Sequence, residues 1–89
     1  MKKKDRYLDE PFLRHLGDAI RARRVDLLLS QEELASRASL FRSYVTDVES
    51  GVRNISLITM LKVARALEGP LSATILAAEK SMDKKTRKK

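Results

Sequence analysis

The chain has 89 residues, with 19 Lys and Arg against 12 Asp and Glu, a net charge of +7 and no cysteine. That length allows one small domain with a modest core, which dimerisation would help to stabilise. Without cysteine there are no disulfides and no thiolate metal sites, which fits a cytoplasmic location. No apolar run approaches the ~20 residues of a membrane span, and the charged N-terminus has no apolar stretch behind it, so no signal peptide is read there.

The charge is uneven. Residues 1–10, MKKKDRYLDE, read as a basic arm, with Lys2, Lys3, Lys4 and Arg6 placed either to follow a DNA backbone or minor groove, or to serve as a disordered, solubilising end. Asp9 or Glu10 is expected to cap a helix over about 11–27, with Pro11 near its first position. Leu13, Leu16, Ile20 and Leu27 keep helical spacing toward a core. Gly17 interrupts this helix at a cost of ~1 kcal/mol relative to Ala, which close approach of another helix would offset. Arg24 falls on the inward side, Arg21 and Arg23 on the surface. His15, the only histidine, is read as a solvated or half-buried helix residue and not as a catalyst or ligand.

Ser30 to Gly51, SQEELASRASLFRSYVTDVESG, predicts two short helices joined by a tight turn. Ser30 with Glu33 three residues on is a capping box. Leu34, Ala35 and Ala38 make a small, close-packing inner face. In the second helix, about 41–50, Tyr44, Val45 and Val48 lie on one side. Arg42, Ser43, Thr46, Asp47 and Ser50 lie on the other. Gly51 stands where a left-handed residue ends the helix. Phe41 offers no acceptor for a free N–H, so either Ser39 caps an earlier start, or Phe41 packs on the domain, or it meets a thymine methyl or a sugar; packing is the expectation. A helix with a packed back and this front suits a major groove, where Arg42 can hold guanine O6 and N7, Ser43 and Thr46 can serve bases or phosphates, and Asp47 can accept from a cytosine amino group or repel wrong registers.

Ser56 is expected to cap a helix over about 57–68 with a core stripe of Ile58, Leu61, Ala64 and Leu67, Leu57 beside it, and Gly69-Pro70 as its stop. Ser72 is expected to cap a last helix, about 73–80, and residues 80–89, KSMDKKTRKK, with six basic residues and one acidic, to form a basic disordered tail able to add salt-sensitive attraction to phosphate. The spacing shows no internal repeat, Gly-rich phosphate loop, catalytic triad or metal-ligand cluster. No catalytic residue, metal, cofactor or small-molecule ligand is expected, and an enzyme is not the reading.

Ser30-Gln31-Glu32-Glu33-Leu34-Ala35, Tyr44-Val45 and Val48-Glu49-Ser50-Gly51, followed by Arg53-Asn54-Ile55-Ser56-Leu57 and Ala64-Arg65-Ala66-Leu67, resemble the helix-turn-helix domain of the phage-repressor and Xre type over about residues 12–78. The Arg42-Ser43-Tyr44 and Val52-Arg53-Asn54 segments resemble restriction–modification controller proteins within that family. The resemblance implies an all-α, five-helix, lambda-repressor-like domain over 11–79, acting as a homodimeric transcription regulator on a near-palindromic operator in double-stranded DNA. It implies a structural ion pair between Arg24 and Glu49, phosphate binding by Gln31, a backbone or base-edge contact by Arg53, and a two-fold interface built from Leu71, Ile75 and Leu76. It also places Gly in many relatives at positions 28 and 39, and a Ser, Thr or Asp cap at 41, where this chain has Leu28, Ser39 and Phe41. A phage-type repressor, an antitoxin with a toxin partner, a non-specific binder driven by the basic ends, and an interaction module that has lost DNA reading are the alternatives.

Overall fold

A computed structural model describes residues 10–87, so the Lys2 to Arg6 basic cluster of the arm lies outside the described residues. Among the described residues there are five α-helices and no strand: α1 Pro11–Asp26, α2 Gln31–Ala38, α3 Arg42–Glu49, α4 Leu57–Ala66 and α5 Leu71–Arg87. The all-α, five-helix expectation holds. α1 packs along α5 on one side and against α3 on the other, while α2 bridges α3 and α4. No helix among the described residues is long and apolar enough to cross a membrane.

Local chemistry accounts for the helix starts. Glu10 accepts the Phe12 N–H at 3.2 Å with Pro11 at the first helical position. Ser30 and Glu33 close the capping box reciprocally, at 3.0 Å from Glu33 N to Ser30 Oγ and 2.8 Å from Ser30 N to Glu33 Oε1. Ser56 accepts the Thr59 N–H at 3.1 Å. α3 departs from this rule: its cap position is Phe41, with no side-chain hydrogen bond. Ser39 cannot cap α3, because it closes α2 in the left-handed conformation at φ 59°.

The four helix ends from α1 to α4 share one device. After each, a residue with positive φ turns the chain so that its own N–H and the next one return to carbonyls of the last turn, the six-to-one and five-to-two pattern of the Schellman motif. Leu28 and Leu29 bond Val25 and Arg24; Ser39 and Leu40 bond Ser36 and Ala35; Gly51 and Val52 bond Val48 and Asp47; Glu68 and Gly69 bond Arg65 and Ala64. Only one of the four left-handed residues, Gly51, is a glycine. Leu28 thus keeps the turn that Gly makes elsewhere, at φ 61° and 88% exposed. In α4 the left-handed residue is Glu68, and Gly69 is the position after it. The expected Gly69 stop is therefore displaced by one residue.

The core gathers Leu16 and Ile20 of α1, Leu34, Ala35 and Ala38 of α2, Val45 and Val48 of α3, Met60, Val63, Ala66 and Leu67 at α4 and its cap, and Ala78 of α5. Of the expected α4 stripe, Ala64 and Leu67 are buried and Leu61 is half-buried, but Ile58 is exposed, as is Leu57 beside it, and Met60 and Val63 are buried in its place. Both stripes are apolar at helical spacing. Which one turns inward is set by how α4 meets α2, a tertiary choice that periodicity leaves open. Arginines from other helices hold the end of α4. Arg23 donates to Leu67 O at 3.0 Å, and Arg37 donates to Ala66 O at 3.2 Å while pairing with Glu68 at 3.0 Å.

α5 also differs. It begins at Leu71, with Ala73 N–H donating to Pro70 O at 3.0 Å, so Ser72 lies within the first turn and is not its cap. It continues to Arg87, where disorder was expected from residue 80. Half-buried Met82 extends the inner stripe of Ile75 and Ala78, and His15 Nδ1 lies 2.8 Å from Ser81 Oγ, tying α1 to this extension. Lys, Arg and Glu are good helix formers once such contacts exist.

α1 and α3 meet backbone to backbone. A Cβ at Gly17 would sit 2.5 Å from the carbonyl oxygens of both Val48 and Glu49, and one at Gly51 would sit 2.8 Å from Arg14 Cα. The expected close approach at Gly17 is thus the crossing of these two helices. Gly17→Ala is predicted to destabilise the fold by about 1–3 kcal/mol through overpacking, despite its better helix propensity. Urea denaturation checks this; an unchanged or raised midpoint contradicts the contact.

Candidate nucleic-acid interface

The interface is built from the end of α3 inward. Glu49, in its last turn, is 1% exposed. A carboxylate so deep needs compensation for lost hydration. Arg24 of α1 supplies it as a two-pronged grip, Nε to Oε2 at 2.6 Å and Nη2 to Oε1 at 2.9 Å. The third Arg24 nitrogen, Nη1, donates to Leu29 O at 2.8 Å, so the same guanidinium also fastens the α1–α2 turn. The hydrogen bond to Glu49, with burial opposing and opposite charge assisting, raises the Arg24 pKa above its ordinary value. Arg21, which sequence placed on the surface, approaches Glu49 Oε1 at 3.8 Å with its side chain half-exposed.

Gln31, at the first position of α2, donates from Nε2 to Glu49 Oε1 at 3.0 Å. Its Oε1 lies 2.9 Å from Thr46 Oγ1, which lies 3.1 Å from Arg42 O as well. The single hydroxyl proton of Thr46 serves one of these acceptors or is shared. A chain of polar contacts therefore runs from Arg24 through Glu49 and Gln31 to Thr46, linking α1, α2 and α3. Gln31 keeps one amide proton beyond its bond to Glu49. Thr46 is exposed, with its hydroxyl engaged by Gln31 or by Arg42 O.

Outside that chain lie Arg42 and Ser43, both exposed, with no side-chain hydrogen-bond or ion-pair partner among the described residues. α3 carries no acidic residue in its first turn, so the positive end of its dipole is uncancelled there. Asp47, one turn further, pairs with Arg53 at 3.3 Å. The Arg53 guanidinium carbon also stands 4.7 Å from the centre of the Tyr44 ring. Arg53 is thus tethered to α3 by a charge on one side and an aromatic face on the other. Sequence reading assigned Tyr44 only to the packed side and missed this platform. The signal was a Tyr and an Asp three apart on α3, with an Arg a few residues past the helix end.

Phe41 is 83% exposed. The expected packing on the domain is therefore not made, and Phe41 is not among the apolar side chains packed against the core. Of the expected interface residues on α5, Leu71 and Ile75 pack half-buried against the chain's own core, while Leu76 is 51% exposed. Among the described residues no cluster of three or more His, Cys, Asp or Glu is placed to hold a metal ion.

Two short helices locked at a tight turn, the second opening on an exposed Arg42 and Ser43, define a helix-turn-helix unit. The helix-turn-helix family matches this chain over residues 20–73, and the chain belongs to that family. Over 39 residues it is 46% identical to control protein C.BamHI of Bacillus amyloliquefaciens, covering 44% of this chain and 48% of that protein. It is 42% identical over 60 residues to the immunity repressor protein of Bacillus phage phi105, covering 67% of this chain and 42% of the relative. The aligned part therefore spans about half or less of these two relatives. The crystal structure of the restriction–modification controller protein C.AhdI from Aeromonas hydrophila superimposes with a TM-score of 0.69 at 44% identity, covering 70% of this chain and 94% of that one.

Removing Glu49 would strand the Arg24 guanidinium and leave Gln31 without its acceptor. Glu49→Ala is predicted to cost about 3–5 kcal/mol in urea unfolding. A loss under about 1 kcal/mol would show that the buried network does not hold the helices together.

Proposed function

We propose that this protein is a sequence-specific, double-stranded-DNA-binding transcriptional regulator of the cytoplasm. It acts as a homodimer on a near-palindromic operator, with restriction–modification genes as its targets. One observation carries this reading: α3 is locked at its C-terminal end, while Arg42 and Ser43 at its N-terminal end are exposed, with no side-chain partner among the described residues. Recognition helices of this class present their N-terminal residues to base edges in the major groove. Arg42 is the principal base reader, through guanine O6 and N7, with Ser43 beside it. Thr46 acts through its methyl and by steering Gln31. Asp47, charge-paired with Arg53, contributes discrimination against wrong bases more than attraction. Gln31, with its remaining amide proton, and Arg53 contact the backbone.

Dimerisation rests on apolar side chains that the monomer leaves uncovered. Leu76 is the exposed member of the α5 set, and Leu57 and Ile58 at the start of α4 are exposed as well. Leu71 and Ile75 support that surface from the core. Two such subunits would place their α3 helices in successive major grooves about one helical turn apart. The likeness to named control proteins and to a solved controller protein supports the restriction–modification assignment over the phage-repressor one. No catalytic role is assigned to any residue.

Selection from a random duplex library tests the function. A symmetric enriched motif, bound far more tightly than random DNA, is the expected result. On that motif Arg42→Ala should lose about 1–3 kcal/mol and relax base choice at one position per half-site. No enrichment, or equal losses on the motif and on random DNA, overturns the reading.

A further inference from the structure

Phe41 breaks two local rules at once. It occupies the cap of α3 without an acceptor for the free N–H groups, where Ser, Thr, Asp or Asn would stabilise the helix. It is also 83% exposed, so its ring gains almost nothing from burial. Residues that violate local preferences without a folding benefit mark functional positions. The neighbourhood says which function. Phe41 immediately precedes Arg42, an exposed cation at the start of α3 with no side-chain partner among the described residues, and no acidic side chain stands in that first turn. Resting on the DNA-reading role of α3, we infer that Phe41 is a specificity residue that packs against the C5-methyl group of a thymine in the operator's major groove.

The chemistry selects that target. A phenyl ring neither donates nor accepts a conventional hydrogen bond, so it cannot read the polar edges of guanine, cytosine or adenine. The thymine methyl is the apolar feature that the four bases display in the major groove. Arg42 and Phe41 side by side would then read two neighbouring base pairs by different means, guanine through hydrogen bonds and thymine through apolar contact. The weak helix start is the cost of placing an apolar group where a hydroxyl would serve the fold better.

The test uses the full chain and the duplex enriched by selection, with each thymine replaced in turn by deoxyuridine, which deletes only the methyl. Wild-type protein should bind about fourfold more weakly at one thymine per half-site, the loss expected for one buried methyl. Phe41→Ser and Phe41→Ala should bind the unmodified duplex more weakly and be insensitive to deoxyuridine at that same position. Phe41→Ser, restoring a cap, should raise Tm by about 4 °C or more, while Phe41→Ala should leave it near wild type. The Ala variant thereby separates the contact from any change in folding, and sensitivity retained in both variants would assign the methyl to Thr46 and overturn the inference. Tolerance of deoxyuridine at every position, or wild-type affinity in both variants, overturns it while leaving the regulatory reading intact. A library with no enriched motif overturns that reading and this contact with it.

Discussion

The structure depends on the crossing of α1 and α3. Gly17 lets α1 lie against the Val48 and Glu49 carbonyls, and Gly51 lets the end of α3 pass the backbone of Arg14. At such short range an ion pair between the two helices is necessarily buried, and it is: Glu49 is fully enclosed and Arg24 nearly so. A buried pair is a poor source of stability compared with apolar packing, since desolvation offsets much of the attraction. What it supplies here is direction. Two parallel hydrogen bonds between a planar guanidinium and a carboxylate fix relative orientation in a way that Leu against Leu does not.

Orientation matters because α3 has only eight residues. So short a helix has little stability of its own, and the residues proposed to read bases sit at the end opposite the lock. Rigidity must therefore travel along it. The Gln31–Thr46 link braces its middle from α2, and the Asp47–Arg53–Tyr44 group braces the loop that follows. The result is a division of labour along one helix. Its last turn is committed to the fold, its middle is shared, and its first turn is left free.

Much of this was legible in the sequence. The Ser30–Glu33 box, the Ser56 cap and the need for a close neighbour at Gly17 are local rules with local signatures. The choice between two apolar stripes on α4 was not legible, because Ile58 with Leu61 and Met60 with Val63 are equally periodic. The length of α5 was hidden for a related reason: the contact between His15 and Ser81 that ties its extension to α1 exists only once the two helices lie together. The left-handed Leu28, Ser39 and Glu68 show that a Schellman ending can form without a glycine to announce it. At the interface, the residue types that face outward were readable from helical spacing. The commitment of Gln31 to Glu49, and of Thr46 to Gln31, was not, since it arises only when α1, α2 and α3 come together around one carboxylate.

We propose that this lock presents the first turn of α3 to DNA. Backbone amide chemical shifts, followed while the selected duplex is titrated into the labelled chain, test it most directly. The largest changes should cluster at residues 41–47, with smaller ones at Gln31 and Arg53 and little change in the C-terminal half of α5. Dominant changes around Lys80 and Lys84, with α3 unmoved, would contradict it and transfer DNA binding to the basic end of the molecule.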